Sequence, residues 1–384
     1  MFLSDIKKRF LMRKQQLSPW VFSYLKDLIK NKEKPDSQKP IHIYLCICDH
    51  FEPGTGGVDP KQERDRVTRW VENYSKLANK HKDANGNVPQ HTWFFPPHYH
   101  RQDHLERLVK LCSQGYGEIE MHLHHDRMEP WPDTPETLKE KIKKCIEDYS
   151  HYGIFGTDKD GKKRFAFIHG DWALDNSRGG KHCGINNEIQ ILKEMGCYAD
   201  FTFPSCNEAQ PKKINSIYYA KDDPDKPKSY DTGVDVKVGG TPWGDLMIIQ
   251  GPLGFRWRGR KHRFYPSSES GNICATNPPT RERINFWIKT GIHVKGEPNH
   301  IFIKLHCHGA PEEDAKVLLG EKMDKMFLYL EKYYNDGSRY VLHYVTAREM
   351  YNKIKFLETK SYQSIIYPPE YKNNIIHSRS NKNE

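Results

Sequence analysis

Short apolar runs alternate with helix-spaced apolar residues about seven times between residues 41 and 355, and almost every run empties into His, Asp or Glu. A strand followed by a crossover helix is the repeating unit of a largely parallel sheet, so this alternation confines the chain to the α/β class. The runs lie at 41–48, 91–95, 118–124, 164–169, 198–203, 300–305 and 339–345. The first is almost continuously apolar, as expected of a strand buried on both faces. Between the runs, helical spacing is carried by Val67, Trp70, Val71, Tyr74 and Leu77, by Leu105, Leu108 and Leu111, and by Leu138, Ile142, Cys145 and Tyr149. Thr346-Ala347-Arg348-Glu349 is a capping box opening a last helix.

In such sheets chemistry gathers at the C-terminal ends of the strands. Here those ends carry Asp49-His50, Pro97-His98, His122 to Asp126, His169 to Asp171, Asp200, and His306 with His308. A closed or nearly closed barrel accounts for the pattern, because its strand ends converge on one mouth. The densest stretch is 117–126, where Ile119, Met121 and Leu123 share one face. Strand alternation puts His122 and His124 on the same side, with His125 and Asp126 beyond the pleat. A solvated loop accounts for one or two histidines but not for three followed by an aspartate. The stretch therefore reads as a metal site.

Three segments depart from the alternation in composition. Residues 1–40 combine a short basic amphipathic stretch (Phe2, Leu3, Ile6 and Phe10 among Lys7, Lys8, Arg9 and Arg13) with a helix introduced by Ser18-Pro19 and a Lys/Asp/Pro linker. The basic stretch allows peripheral contact with an anionic membrane, but packing on the chain's own domain is expected. Residues 204–278 lose the rhythm and hold a basic-aromatic stretch, Phe255-Arg256-Trp257-Arg258-Gly259-Arg260; they are expected to form a rim insertion over the mouth. From 356 onward a polar tail follows, expected to be partly disordered from about Gln363.

Net charge is +10, from 60 Lys+Arg against 50 Asp+Glu. The excess favours anionic partners such as acidic glycans or sugar nucleotides, but it is scattered and no nucleic-acid motif accompanies it. Nine cysteines without a CxxC pair suit buried thiols rather than a disulfide framework. The first residues turn charged at Asp5-Ile6-Lys7-Lys8-Arg9 without a continuous apolar stretch, unlike a secretory signal, and no apolar run is long enough to span a bilayer. A cytoplasmic location is the expectation.

Imidazole and carboxylate donors suit a divalent ion, zinc above all, and a catalytic site needs three of them plus an open position. Such an ion activates water toward an acyl carbon, with a carboxylate as base and an imidazole to protonate the leaving amine.

On these residues the chain resembles the polysaccharide deacetylase superfamily of carbohydrate esterases, over roughly 41–355. Asp49-His50 stands where that family has two strand-end aspartates, a base and a metal ligand. Glu118-Ile119-Glu120-Met121-His122-Leu123-His124-His125-Asp126 resembles its His-x-x-x-His motif, with Asp126 in place of the second His. Lys304-Leu305-His306 resembles its late strand, whose His acts as acid. The family's Arg- and Pro-containing motif has no equivalent; His169-Gly170-Asp171-Trp172-Ala173-Leu174-Asp175-Asn176 occupies its place. The resemblance implies a distorted (β/α) barrel of about seven strands, with an N-terminal helical extension and a rim insertion. It further implies a metal-dependent hydrolase removing an acyl group, acetyl on an amino sugar being the expectation, from a carbohydrate or sugar-nucleotide substrate. The implied ligands are His122, Asp126 and His50, with Asp49 as base and His306 as acid; the roles of Asp49 and His50 remain interchangeable at this stage. Asp171, Trp172 and Asn176 are expected to bind substrate.

Two other readings compete. A metal-free glycoside hydrolase on a related barrel would pair Asp49 or Glu52 with Asp171. A non-catalytic carbohydrate-binding protein would use Trp172, Trp243, Trp257 or Tyr265 as stacking platforms.

Overall fold

Strand β1 (Ile41–His50) is the axis of the sheet, and every residue from Ile43 to His50 is buried, in keeping with its unbroken apolar run. The computed structural model describes residues 20–29, 33–256, 267–363 and 365–372. Along one edge β1 pairs in parallel with β9 (His300–Cys307). Along the other it meets two strands in succession, β10 (Tyr340–Tyr344) beside Ile41–Leu45 and β2 (His91–Phe95) beside Cys48–His50. The parallel order continues through β3 (Gly117–Leu123), β4 (Lys163–His169), β5 (Cys197–Asp200) and β7 (Leu246–Ile249), after which β6 (Ile217–Ala220) joins antiparallel. At the other end β8 (Asn272–Ile273) flanks β9. Residues 292–295 span the gap between the two ends: Phe302 N donates to Ile292 O at 2.8 Å, and Lys295 N to Val236 O at 2.9 Å. The result is a barrel-like, largely parallel α/β fold.

Residues paired directly across a parallel ladder share a side of the sheet. One side carries Cys46, Cys48, His50, Phe94, His122, Ile168 and His306 through the observed registers. Helix α9 (Ala347–Thr359) packs Ala347, Met350 and Ile354 into this side's apolar cluster. Its predicted capping box is present, with Thr346 and Glu349 bonding each other's backbone N–H groups. The opposite side (Ile43, Leu45, Ile47, Ile119, Met121) packs on α2 (Pro60–Ala78), α3 (Gln102–Leu111) and α4 (Pro135–Ser150) through Trp70, Leu105, Leu108, Leu138 and Ile142. Asp59 and Thr134 cap α2 and α4, each followed by Pro at the first helical position. Between β4 and β5 lies the short helix α5 (Glu188–Glu194). Helices α6 (Arg281–Thr290), α7 (Glu312–Leu318) and α8 (Glu321–Tyr334) flank the last two long strands.

Three expectations need amending. The sheet has twelve strands rather than about seven, because pairs as short as Gly156–Thr157 and Val234–Asp235 join it without a hydrophobic period of their own. Residues 204–278 are not only a rim: the apolar run at Leu246–Ile249 is buried on both faces and completes the sheet beside β5. Within this segment Arg256 pairs with buried Glu269 at 2.7 Å. The tail, expected to loosen from Gln363, docks instead over 365–372, where Ile366 is buried and Tyr367 bridges Thr157. Helix α1 (Val21–Ile29) follows the extension predicted before the barrel, and Trp20 packs beside Leu253 and Ile214. Ser18-Pro19, the basic stretch at 2–13, Trp257, Arg258, Gly259, Arg260, Tyr265 and residues 373–384 lie outside the described residues. All nine cysteines are free. No helix among the described residues is long and apolar enough to cross a membrane.

Candidate active site

At the C-terminal end of β3, alternation delivers His122 and His124 to one place. Their Nε2 atoms lie 3.1 Å apart, and Oε1 of Glu52, from the turn after β1, lies 3.5 Å from each. Both rings are oriented from behind. Nδ1 of His122 donates to Ile168 O at 2.9 Å, and Nδ1 of His124 to Asp171 Oδ2 at 3.1 Å, which turns both Nε2 atoms toward Glu52. A ring whose far nitrogen is bonded to a carbonyl or carboxylate is the usual outer support of a metal-ligating histidine. All three residues are buried. Donor type, convergence and outer support therefore fit a divalent ion.

A second wall is built from His50, His306 and His308. The His50 ring lies 5.0 Å from His122, 6.1 Å from His306 and 4.7 Å from His308, and buried Nε2 of His50 and Nδ1 of His306 have no hydrogen-bond partner. Trp172 stands 6.0 Å from His50 and 6.2 Å from His308, and His98 lies 5.4 Å from His124.

Electrostatics divide these groups. Burial, with His308 and His122 nearby, holds His50 well below the usual imidazole range, and burial with Lys304 does the same to His306. Burial and His124 push His98 down to about 3. Burial also pushes His124 down, but the hydrogen bonds it donates to Asp171 and Glu52 outweigh it and carry the ring up to about 9. Burial tends to raise Glu52, yet its bonds to His122 and His124 take it far below the carboxylate range. Asp171 is drawn down to about 2, chiefly by His124.

The remaining predicted residues do not join Glu52, His122 and His124 in one ligand set. Asp49, adjacent to His50, points to the opposite, helix-packed side; it accepts from Gly309 N at 2.6 Å and from His91 Nε2 at 3.0 Å, with no exposure at all. Asp126 is bound by His182 Nδ1 at 2.6 Å and groups with His124 and Asp171 rather than with His50. Asn176 spans its own loop, donating to Asn186 Oδ1 and accepting from Gly180 N. Asp171, Trp172, Asp175 and Asn176 all adopt positive φ of 50–55°, a left-handed region that non-glycine residues occupy only when their surroundings hold them there. His182 escaped the sequence reading. Glu52 entered it only as a glycosidase carboxylate, and His124 was left without a role although it shares a strand face with His122.

No family model matches the chain, and no curated protein sequence matches it. Among solved structures, an alpha-mannosidase from Enterococcus faecalis V583 aligns with 85% of this chain at 11% identity and a TM-score of 0.40. The chain spans only 30% of that mannosidase. A protein from Parabacteroides distasonis, provisionally described as a glycoside hydrolase/deacetylase, aligns over 86% of this chain and 74% of its own, at 12% identity and a TM-score of 0.45.

Proposed function

We propose that the protein is a metal-dependent hydrolase that removes an acyl group, acetyl from an amino sugar in the first instance, from a carbohydrate or sugar-nucleotide substrate. The observation that carries this reading is the convergence of Glu52, His122 and His124, with both imidazoles oriented by outer partners. In this reading these three hold the ion, taking the place of the His50 and Asp126 expected beside His122. When bound, a divalent ion supplies Lewis acidity at the acyl carbonyl and activates water.

The chain's own groups supply the rest. Asp171 replaces Asp49 as base: its side chain is 31% exposed, against 9% for Glu52 and none for Asp49, so it is the most open of these carboxylates to solvent. It is held ionised, ready to take the proton of the attacking water. His50 and His306 are held neutral and carry unpartnered nitrogens, so they can accept that proton and pass it to the leaving amine. Trp172 forms an apolar flank beside His50 and His308, suited to a sugar ring.

A metal-free glycoside hydrolase would need one carboxylate kept protonated as acid. Glu52, through His122 and His124, and Asp171, through His124, are instead both drawn toward the ionised form, which favours the deacetylase.

Acetate release across N-acetylated sugars, sugar nucleotides and oligosaccharides, alongside metal analysis of protein purified without chelator, tests the proposal. His122→Ala should lose one equivalent of metal and acetate release together. Asp171→Asn should still load metal at saturating concentration, bound about 10–100-fold more weakly, and lose about 10²–10⁴-fold in kcat. Unchanged metal and activity in His122→Ala would overturn the ligand set.

A further inference from the structure

Directly after the mouth histidine His124, His125 turns the other way and enters a second cluster, fully buried, made with His169, Cys183 and Glu188. We infer that these four residues form a structural zinc site, separate from the mouth, that staples the 170–187 loop to the end of the sheet. Nε2 of His125 lies 3.0 Å and Nε2 of His169 3.5 Å from Glu188 Oε1, and Cys183 Sγ lies 3.4 Å from Glu188 Oε2. Ligands bound tetrahedrally at about 2.0–2.3 Å lie roughly 3.3–3.8 Å apart, so little movement is needed to close round an ion.

An unsatisfied atom points into the same space. Nδ1 of His169 donates to Gly170 O at 2.5 Å, which leaves Nε2 as a bare lone pair. That lone pair is fully buried, has no donor, and faces a carboxylate oxygen. Two acceptors directed at each other in a dry interior are unfavourable, and a cation between them removes the conflict. Outer support is also in place. Glu188 Oε2 accepts from Asp175 N at 2.7 Å, and Asp133, whose Oδ1 pairs with Lys141 at 2.8 Å, brings Oδ2 to 3.0 Å from His125 Nδ1 as an ion-pair contact without a hydrogen bond. Thiolate, two imidazoles and a carboxylate with no open position describe closed zinc coordination rather than catalysis.

Binding replaces the proton on the Cys183 thiol and the one on Nε2 of His125 that faces Glu188 Oε1; both are released to solvent as the two metal–ligand bonds form. The site has a purpose that the loop makes visible. Asp171, Trp172, Asp175 and Asn176 hold left-handed conformations between His169 and Cys183, and the staple fixes both ends of that strained segment. The mouth residues Asp171 and Trp172 are thereby positioned.

The test loads the full-length His122→Ala/His124→Ala variant, which loses both imidazoles of the mouth, with Co²⁺ and with Zn²⁺. One equivalent should still bind, with a thiolate-to-cobalt charge-transfer band and a higher Tm on adding Zn²⁺. Adding Cys183→Ser should abolish the band and the Tm rise. A mouth variant that takes up no metal, or a cobalt spectrum without a thiolate band, would overturn the site. Because the readouts are taken with the mouth disabled, failure of the deacetylase reading leaves them unaffected.

Discussion

Replacing Gly170 by alanine is a sharp probe of the mouth, because the added methyl meets a single side chain. It would lie 2.7 Å from Cδ2 of His124 and closer still to Cγ and Nδ1. Carbon atoms in ordinary contact need about 3.5 Å, so the ring has to retreat by roughly 1 Å. The backbone at Gly170 is outside the left-handed range, so the methyl's effect is steric alone. The ring cannot retreat freely: Asp171 holds one nitrogen at 3.1 Å and the other lies 3.1 Å from His122. A displacement of about 1 Å in a positioned catalytic group costs on the order of 10²-fold in rate. Overpacking of this kind costs about 1–3 kcal/mol in stability. Gly309→Ala is the matched control, since its methyl would lie 2.5 Å from Trp70 Cζ2 and press on Asp49 on the helix-packed side. Both variants should melt earlier. Only Gly170→Ala should lose mouth metal and acetate release per folded molecule, measured by metal analysis and steady-state kinetics on protein verified by circular dichroism. Full activity in Gly170→Ala, or equal activity losses in both variants, would refute the assignment of His124 to the mouth.

Other outcomes follow from the buried charges and the docked tail. Burial raises Asp200 to about 7, while Thr202 Oγ1 donates to it at 2.6 Å. A folded pKa above the unfolded one gives stability that is complete below about pH 4 and lost as pH rises through 7, by at most about 4 kcal/mol; Asp200→Asn should flatten that slope in urea titrations, and parallel pH profiles would count against it. Arg283 binds Glu269 through two bonds of 2.8 Å in a site with no exposure, so Arg283→Met should cost about 3–5 kcal/mol, read as a lower urea midpoint. Truncation after Lys360 removes buried Ile366 and should cost about 1.5–3 kcal/mol from that side chain alone, read as a lower denaturation midpoint.

The alternation of strand and helix is a local property, so the α/β class and the strand-end position of the histidines were legible along the chain. So was the shared face of His122 and His124, because two residues apart on a strand means the same side whatever the fold. Which side faces the mouth was not legible. Strand β1 is buried on both faces, and its apolar run gives no polar stripe to tell them apart; only pairing with β9 and β2 sends His50 to the mouth and Asp49 to the helices. Glu52 lies past the last paired residue of β1, where alternation no longer predicts direction, and the turn alone aims it at His122 and His124. The second cluster is more distant still. Glu188 is 63 residues from His125 in sequence, and no periodicity links positions so far apart. The chain specified its ligands locally, whereas the parallel registers and the folding back of the 170–187 loop decided which of them share a site.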